Sequence, residues 1–130
     1  MTATSPEQIE NLKKSGNILS TALQKTAAAV RVGMSTLELD AIARKSIQEQ
    51  GGEPAFLGYN GFPAALCTSR NSIVVHGIPK ETDILEDGDI IGLDLGVQYK
   101  GAFTDMAVTV PVGTVPIYQA LKEVGEKAEE

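Results

Sequence analysis

The chain has 130 residues, of which 42% are hydrophobic and 22% are charged, with a formal net charge of −6. This length allows one domain with one hydrophobic core and argues against a second independent domain. No run approaches the roughly 18 apolar residues of a membrane span, and the N-terminus lacks the basic and apolar regions of a signal peptide. The scattered Lys and Arg residues exclude the basic surface of a nucleic-acid-binding protein. We therefore expect a cytoplasmic protein that binds neither membranes nor nucleic acid.

The cysteine and histidine content limits the kind of metal site that the chain can build. The single cysteine, Cys67, cannot form an intrachain disulfide, and His76 is the only histidine. A zinc site made from several cysteines and histidines is therefore excluded. A metal bound by this chain must take mainly oxygen ligands.

Two amphipathic helices are predicted in the first half of the chain. The first begins at an N-cap, Ser5, which is followed by proline and by a glutamine at the capping-box position, and it ends near Gly33. Its apolar stripe comprises Ile9, Leu12, Gly16, Leu19, Leu23, Ala27 and Val30. The second helix begins at Ser35 and stops at the glycine pair 51–52.

Strands are predicted in the second half of the chain. From about residue 54, short apolar runs alternate with Gly, Pro, Asn and Asp. We predict one hairpin from residues 64–69 and 72–75. A longer hairpin is predicted from residues 89–97 and 102–112, around a four-residue turn at 98–101.

The order of helices followed by antiparallel strands indicates a single α+β domain. Residues 1–53 are predicted to form a helical cover, residues 54–113 the strands, and residues 114–130 the start of a further helix that Pro116 opens. The helices should cover one face of the sheet. The other face is then left for a ligand, a partner or more chain.

Two aspartates, Asp94 and Asp105, lie in the apolar strands of the longer hairpin. With a four-residue turn they would be direct cross-strand neighbours with Cβ atoms about 4.5–5.5 Å apart, where like charges repel. A lone strand aspartate usually caps a turn or pairs with a basic residue, but Lys100 at the turn tip is the only Lys or Arg in this hairpin. Because buried carboxylates are costly unless they are paired or bound to a metal, the pair predicts a divalent cation such as Mn, Fe, Co, Mg or Zn.

A catalytic metal usually has at least three protein ligands, and His76, which follows a predicted strand, is the candidate for the third. A strand-end histidine on its own is more often structural. Aromatic and sulfur side chains precede it in the sequence: Phe56, Tyr59, Phe62 and Cys67. Such side chains are suited to an apolar pocket for a Met or Leu side chain, although they would equally suit an ordinary core beneath a loop.

Six segments carry these residues and their surroundings. They are 56–63 (FLGYNGFP), 67–71 (CTSRN), 75–79 (VHGIP), 88–90 (GDI), 93–96 (LDLG) and 104–109 (TDMAVT). In this order and spacing they resemble type I methionine aminopeptidases, and the resemblance covers nearly the whole chain. It implies the N-terminal half of the pita-bread fold, with two helices covering an antiparallel sheet. It also implies the metal-dependent removal of the initiator methionine from nascent polypeptides.

The resemblance implies a role for each residue singled out above. Asp94 would bind one of two divalent metal ions and Asp105 would bridge both, the ions being Co, Mn, Fe or Zn. His76 would be a catalytic residue beside the substrate rather than a principal metal ligand, which revises the interpretation made from the residues alone. The residues that bind the substrate methionine would be Phe56, Tyr59, Phe62, Cys67 and His76.

The resemblance also sets the expected partners. The family's remaining ligands, one histidine and two glutamates, have no counterpart here and are expected beyond residue 130, so the chain alone should be an incomplete catalyst. The expected partners are the N-terminal methionine of nascent peptides, the ribosome, and either a second copy of the chain or the missing C-terminal half. The alternative is a non-catalytic module that binds peptides or proteins on the same scaffold. Retention of both aspartates and His76 counts against that alternative.

Overall fold

The computed structural model describes residues 5–58, 63–70 and 77–113. Within them, two helices precede four strands: α1 (Pro6–Ala29), α2 (Thr36–Glu49), β1 (Glu53–Pro54), β2 (Leu66–Arg70), β3 (Ile90–Tyr99) and β4 (Ala102–Pro111). The predicted α+β order is confirmed. The strand predicted at 72–75 and the helix predicted from Pro116 lie outside the described residues. In the described part of the chain, neither helix is both long and apolar enough to cross a membrane.

Both helices begin where their capping residues predict. The hydroxyl of Ser5 accepts a hydrogen bond from the Gln8 N–H at 3.1 Å, and the Gln8 side chain accepts one from the Ser5 N–H at 3.1 Å. The hydroxyl of Ser35 accepts from the Glu38 N–H at 3.1 Å. These bonds satisfy N–H groups that have no acceptor within the first helical turn.

The buried face of α1 differs from the predicted stripe in its first half. Ile9 and Leu12 are each 42% exposed, whereas Ser15 is completely buried. The Ser15 hydroxyl donates to the carbonyl oxygen of Val97 at 3.2 Å and lies 2.8 Å from the hydroxyl of Thr104. A polar residue therefore takes an inward position that hydropathy alone assigns to the surface, because the strands supply its hydrogen-bond partners.

The sheet is antiparallel and β3 lies at its centre. β4 pairs with β3 along its whole length, while β1 and β2 pair with different parts of the other side of β3. The odd-numbered residues 91–97 of β3 are completely buried against the helices. They join a core that includes Ile18, Leu19, Ala22, Leu23, Leu39, Ala43, Ile47 and Leu66. The even-numbered residues of β3 point to the opposite face, which we call the site face.

The β3–β4 hairpin is tighter than predicted. Its turn consists of two residues, Lys100 and Gly101, with φ angles of 47° and 81°. Tyr99 and Ala102 pair directly on either side of the turn. The predicted four-residue turn is therefore wrong. Two-residue loops with positive φ are favoured in hairpins because their twist matches the right-handed twist of the strands.

Candidate metal-binding site

Asp94 and Asp105 both lie on the site face. Asp94 pairs with Ala107, and Asp105 pairs with Gly96. The two carboxylates are therefore diagonal neighbours, and the predicted direct opposition is wrong. The two-residue turn shifts the pairing by two positions, which keeps both aspartates on one face and increases their separation. Diagonal positions lie about 7–8 Å apart, so like-charge repulsion is weaker than between direct neighbours.

The two aspartates differ in exposure. Asp94 in the central strand is half-buried and its Oδ1 atom is shielded from solvent, whereas Asp105 in β4 is exposed. Charges interact more strongly where water is excluded. Asp94 is therefore suited to hold a cation firmly, and Asp105 is the carboxylate that solvent reaches.

Cys67 of β2 faces the same aspartates. It pairs directly with Asp94 and is only 7% exposed. Burial, followed by the negative charges of Asp94 and Asp105, raises the pKa of the Cys67 thiol to about 11. The thiol thus responds to both carboxylates, as expected for three side chains on one face. Because this pKa lies well above neutral pH, the thiol is protonated and uncharged there. It is therefore not in the thiolate form that reacts and binds metals.

Phe56 packs onto the site face over Gly96. A Cβ atom built on Gly96 would lie 2.8 Å from Cε1 of Phe56 and 3.2 Å from Cβ of Ala55. The absence of a side chain on Gly96 allows this close approach. Because Gly96 pairs with Asp105 and lies two residues after Asp94, the Phe56 ring lies beside both carboxylate positions.

The donors on this face suit part of a metal-coordination shell. Carboxylate oxygens are ligands for hard and borderline divalent cations such as Mg, Mn, Fe, Co and Zn. Among the described residues, no group of three or more His, Cys, Asp and Glu side chains is placed to hold a metal ion. Since three protein ligands are the usual minimum for a catalytic metal, Asp94 and Asp105 fit a metal site without completing one.

Three predicted site residues, Tyr59, Phe62 and His76, lie outside the described residues. Gly77, directly after His76, is described and forms a bridge with Thr68 of β2, whose N–H donates to the Gly77 carbonyl at 3.0 Å. A Cβ atom at position 77 would collide with the carbonyl oxygen of Thr68. The chain can therefore approach β2 this closely only with glycine at that position.

Asp40 of α2 is a buried carboxylate that sequence reasoning missed. Its Oδ1 atom accepts hydrogen bonds from the N–H groups of Ala65 at 2.8 Å and Leu66 at 2.9 Å. Its Oδ2 atom accepts one from Arg44 at 3.1 Å. The one signal for it in the sequence is the four-residue spacing of Asp40 and Arg44. Ion pairs on exposed helix surfaces have the same spacing, so it does not predict burial.

Comparison with known protein families identifies the family of this chain. Residues 10–130 match the metallopeptidase family M24. The chain belongs to metallopeptidase family M24. Its similarity to individual members of the family is high. The methionine aminopeptidase of Helicobacter pylori is 45% identical over 111 residues, which cover 85% of this chain and 44% of that protein.

A second relative of this M24 chain is also a methionine aminopeptidase. The methionine aminopeptidase of Aquifex aeolicus is 40% identical over an alignment 131 positions long, covering 95% of this chain and 51% of that protein. The chain thus spans about half the length of the curated relatives it matches. The predicted resemblance to methionine aminopeptidases is confirmed.

Solved structures give the same relationship for the fold. The methionine aminopeptidase of Thermotoga maritima superposes with a TM-score of 0.84 at 32% identity, covering 88% of this chain and 46% of that chain. The enzyme of that name from Rickettsia prowazekii gives 0.84 at 28% identity, with coverages of 92% and 48%. The prolidase from Pyrococcus furiosus shares the fold alone, with a TM-score of 0.73 at 23% identity. The M24 chain therefore has the pita-bread fold, as predicted, and it spans about half the length of the two methionine aminopeptidase structures.

Proposed function

We propose that this M24 chain takes part in the metal-dependent removal of the N-terminal methionine from nascent polypeptides. Its methionine aminopeptidase relatives at 40–45% identity support the proposal. The observation that carries it is the site face, where two carboxylates adjoin a buried thiol and an aromatic ring. Action in the cytoplasm remains a prediction from the sequence, and contact with the ribosome remains a prediction from the family resemblance.

In this proposal Asp94 and Asp105 hold the metal ions through their carboxylate oxygens. When bound, divalent ions of this kind supply Lewis-acid chemistry, which activates water and polarises a carbonyl group. Asp94 provides a ligand fixed in the central strand, with one oxygen shielded from solvent. Asp105 provides a ligand on the exposed side of the hairpin, where a peptide can approach.

Phe56 and Cys67 are proposed to contact the side chain of the substrate methionine. An aromatic ring and a protonated thiol form an apolar, polarisable wall that suits a thioether. The adjacent carboxylates attract the free amino group at the peptide N-terminus. Tyr59, Phe62 and His76 are proposed to complete the pocket, with His76 acting as a catalytic residue beside the scissile bond.

Metal binding by the aspartates is the first test. Metal-free protein is titrated with Mn²⁺ or Co²⁺ in a calorimeter, alongside Asp94→Asn and Asp105→Asn. Each substitution should weaken binding by at least about tenfold, since loss of even an indirect partner of a metal ligand has effects of that size. Glu10→Gln, an exposed carboxylate on α1, is the matched control and should bind as the unchanged protein does. Unaltered binding in both aspartate variants would contradict the proposed site.

Methionine release is the second test. A Met-Ala-Ser peptide is incubated with the protein and Mn²⁺ or Co²⁺, and free methionine is measured over time. Release that disappears in Asp94→Asn supports the proposed reaction. Peptide binding without release, together with unaltered metal binding in both aspartate variants, supports the alternative, a non-catalytic module that binds peptides or proteins on the same scaffold.

A further inference from the structure

Asp40 connects α2 to the start of β2. It is 3% exposed, and its Oδ1 atom accepts hydrogen bonds from the N–H groups of Ala65 and Leu66 at 2.8 and 2.9 Å. Hydrogen bonds to an ionised carboxylate are stronger than those between neutral groups. One carboxylate oxygen thus holds two successive peptide groups.

Arg44 satisfies the other oxygen of the same carboxylate. It lies one turn later in α2, and its Nη2 atom is 3.1 Å from Oδ2 of Asp40. The Asp40 side chain is 4% exposed and the Arg44 side chain 35% exposed, so the ion pair is partly shielded from water. A buried charge is unfavourable without such partners. The two oxygens therefore have separate partners, Oδ1 the strand and Oδ2 the arginine.

The peptide groups that Asp40 holds come directly before Cys67. Leu66 is buried in the core, but Ala64 and Ala65 before it are small, so side-chain packing does little to fix the chain where it enters β2. A slip of one residue in an antiparallel pair moves every side chain to the opposite face. The side chain of Cys67 would then leave the site face, where it is paired with Asp94.

We propose that Asp40 is a positioning residue for the substrate pocket. By holding the first peptide groups of β2 it keeps Cys67 against Asp94 on the site face. That Cys67 contacts the methionine side chain of the substrate rests on the proposed function. The positioning itself is measurable without substrate or metal.

Thiol reactivity measures the positioning directly. Cys67 is the only cysteine, so a thiol reagent such as dithiobis(nitrobenzoate) reports on this position alone at a constant pH. Asp40→Ala should raise the reaction rate of the metal-free protein by about tenfold or more, because a buried thiol reacts through local opening of its strand. Asp40→Asn keeps an oxygen acceptor for the two N–H groups and should bring the rate back to within about threefold of the unchanged protein.

Two control variants separate positioning from a general loss of stability. Leu23→Ala removes a side chain of α1 that is 2% exposed and lies in the hydrophobic core. The reaction rates of Leu23→Ala and Asp40→Ala are compared at temperatures equally far below the melting midpoint of each variant. Arg44→Gln leaves both bonds to Oδ1 and should change the rate less than Asp40→Ala does. Equal rates in Asp40→Ala and Leu23→Ala would overturn the proposal.

Kinetics test the consequence for the pocket. In a preparation that releases methionine, Asp40→Ala should raise KM for Met-Ala-Ser by about tenfold and leave kcat within about threefold, since it disturbs binding of the side chain more than the reacting groups. A fall in kcat at unchanged KM would overturn the proposal. If thiol rates respond as expected while no methionine is released and metal binding is unaltered in Asp94→Asn and Asp105→Asn, the positioning stands and the proposed function fails. If methionine is released while thiol rate and KM stay unchanged, the positioning alone fails.

Discussion

At the scale of single residues, the site face depends on positions without side chains as much as on the aspartates. Gly96 pairs with Asp105, lies two residues after Asp94 on the same face, and lets the Phe56 ring reach the sheet. Because the ring then lies beside both carboxylates, one glycine brings the predicted pocket and the predicted metal ligands together. The sequence shows the glycine in the LDLG segment, but not what covers it.

Gly96→Ala should lower the free energy of unfolding by about 1–3 kcal/mol, because the new methyl group overlaps the Phe56 ring and forces the surroundings to shift. Gly92→Ala is a matched control on the same strand and face, since its Cβ would lie 3.5 Å from the nearest atom, Cβ of Ser69. Urea unfolding of both variants measures the difference. Equal losses in the two variants would show that the Phe56 ring does not rest on Gly96.

At the scale of elements, the β3–β4 turn decides how the site is arranged. Lys100 adopts a φ of 47°, a region that residues other than glycine, asparagine and aspartate seldom occupy. Its Nζ atom lies 5.4 Å from the centre of the Tyr99 ring, a contact that offsets part of the strain. The turn allows all ten residues of β3 to pair with β4, and this pairing offsets the strain at Lys100.

Lys100→Asn should therefore raise the free energy of unfolding by about 0.5 kcal/mol, because asparagine adopts positive φ more readily in two-residue hairpin turns. Lys100→Val should lower it by about 1–2 kcal/mol, since a β-branched side chain is strained in this conformation. Thermal and urea unfolding of the two variants provide the test. Equal free energies of unfolding for Lys100→Val and Lys100→Asn would contradict the two-residue turn.

The elements also show where prediction from sequence ends. The starts of both helices were predicted from Ser5 and Ser35, because capping depends on residues three positions apart. The first half of the buried face of α1 was predicted incorrectly, since the inward place of Ser15 depends on acceptors in β3 and β4. Features that depend on neighbouring residues could be predicted from the sequence, and contacts between distant elements could not.

At the scale of the whole molecule, the described residues leave apolar side chains exposed on β4. Phe103 is 61% exposed and Met106 is 46% exposed. In the described ranges β4 pairs with β3 alone, so its outer edge has no strand beside it. Exposed strand edges tend to pair with other chains. Self-association, which the sequence also predicts, is the expected behaviour at high concentration.

Phe103→Lys should shift the protein toward monomer, because a lysine on an edge strand opposes edge-to-edge pairing and removes an exposed aromatic ring. Analytical ultracentrifugation over a range of concentrations measures the shift. Leu37→Lys is the matched control, since Leu37 is 42% exposed on α2, away from the sheet edge. An equal effect of both substitutions, or a monomer at every concentration of the unchanged protein, would contradict association through β4.

The sequence by itself determined the helix starts, the α+β order, the pair of aspartates and the metallopeptidase family. Each of these depends on residues close together in the chain or on motifs in a set order. Only the tertiary structure decided that Asp94 and Asp105 are diagonal neighbours and that Asp40 is buried. The register of a hairpin follows from the backbone angles of its turn together with the packing of both strands. The burial of Asp40 depends on amide groups 25 and 26 residues away, whose position exists only once the chain has folded.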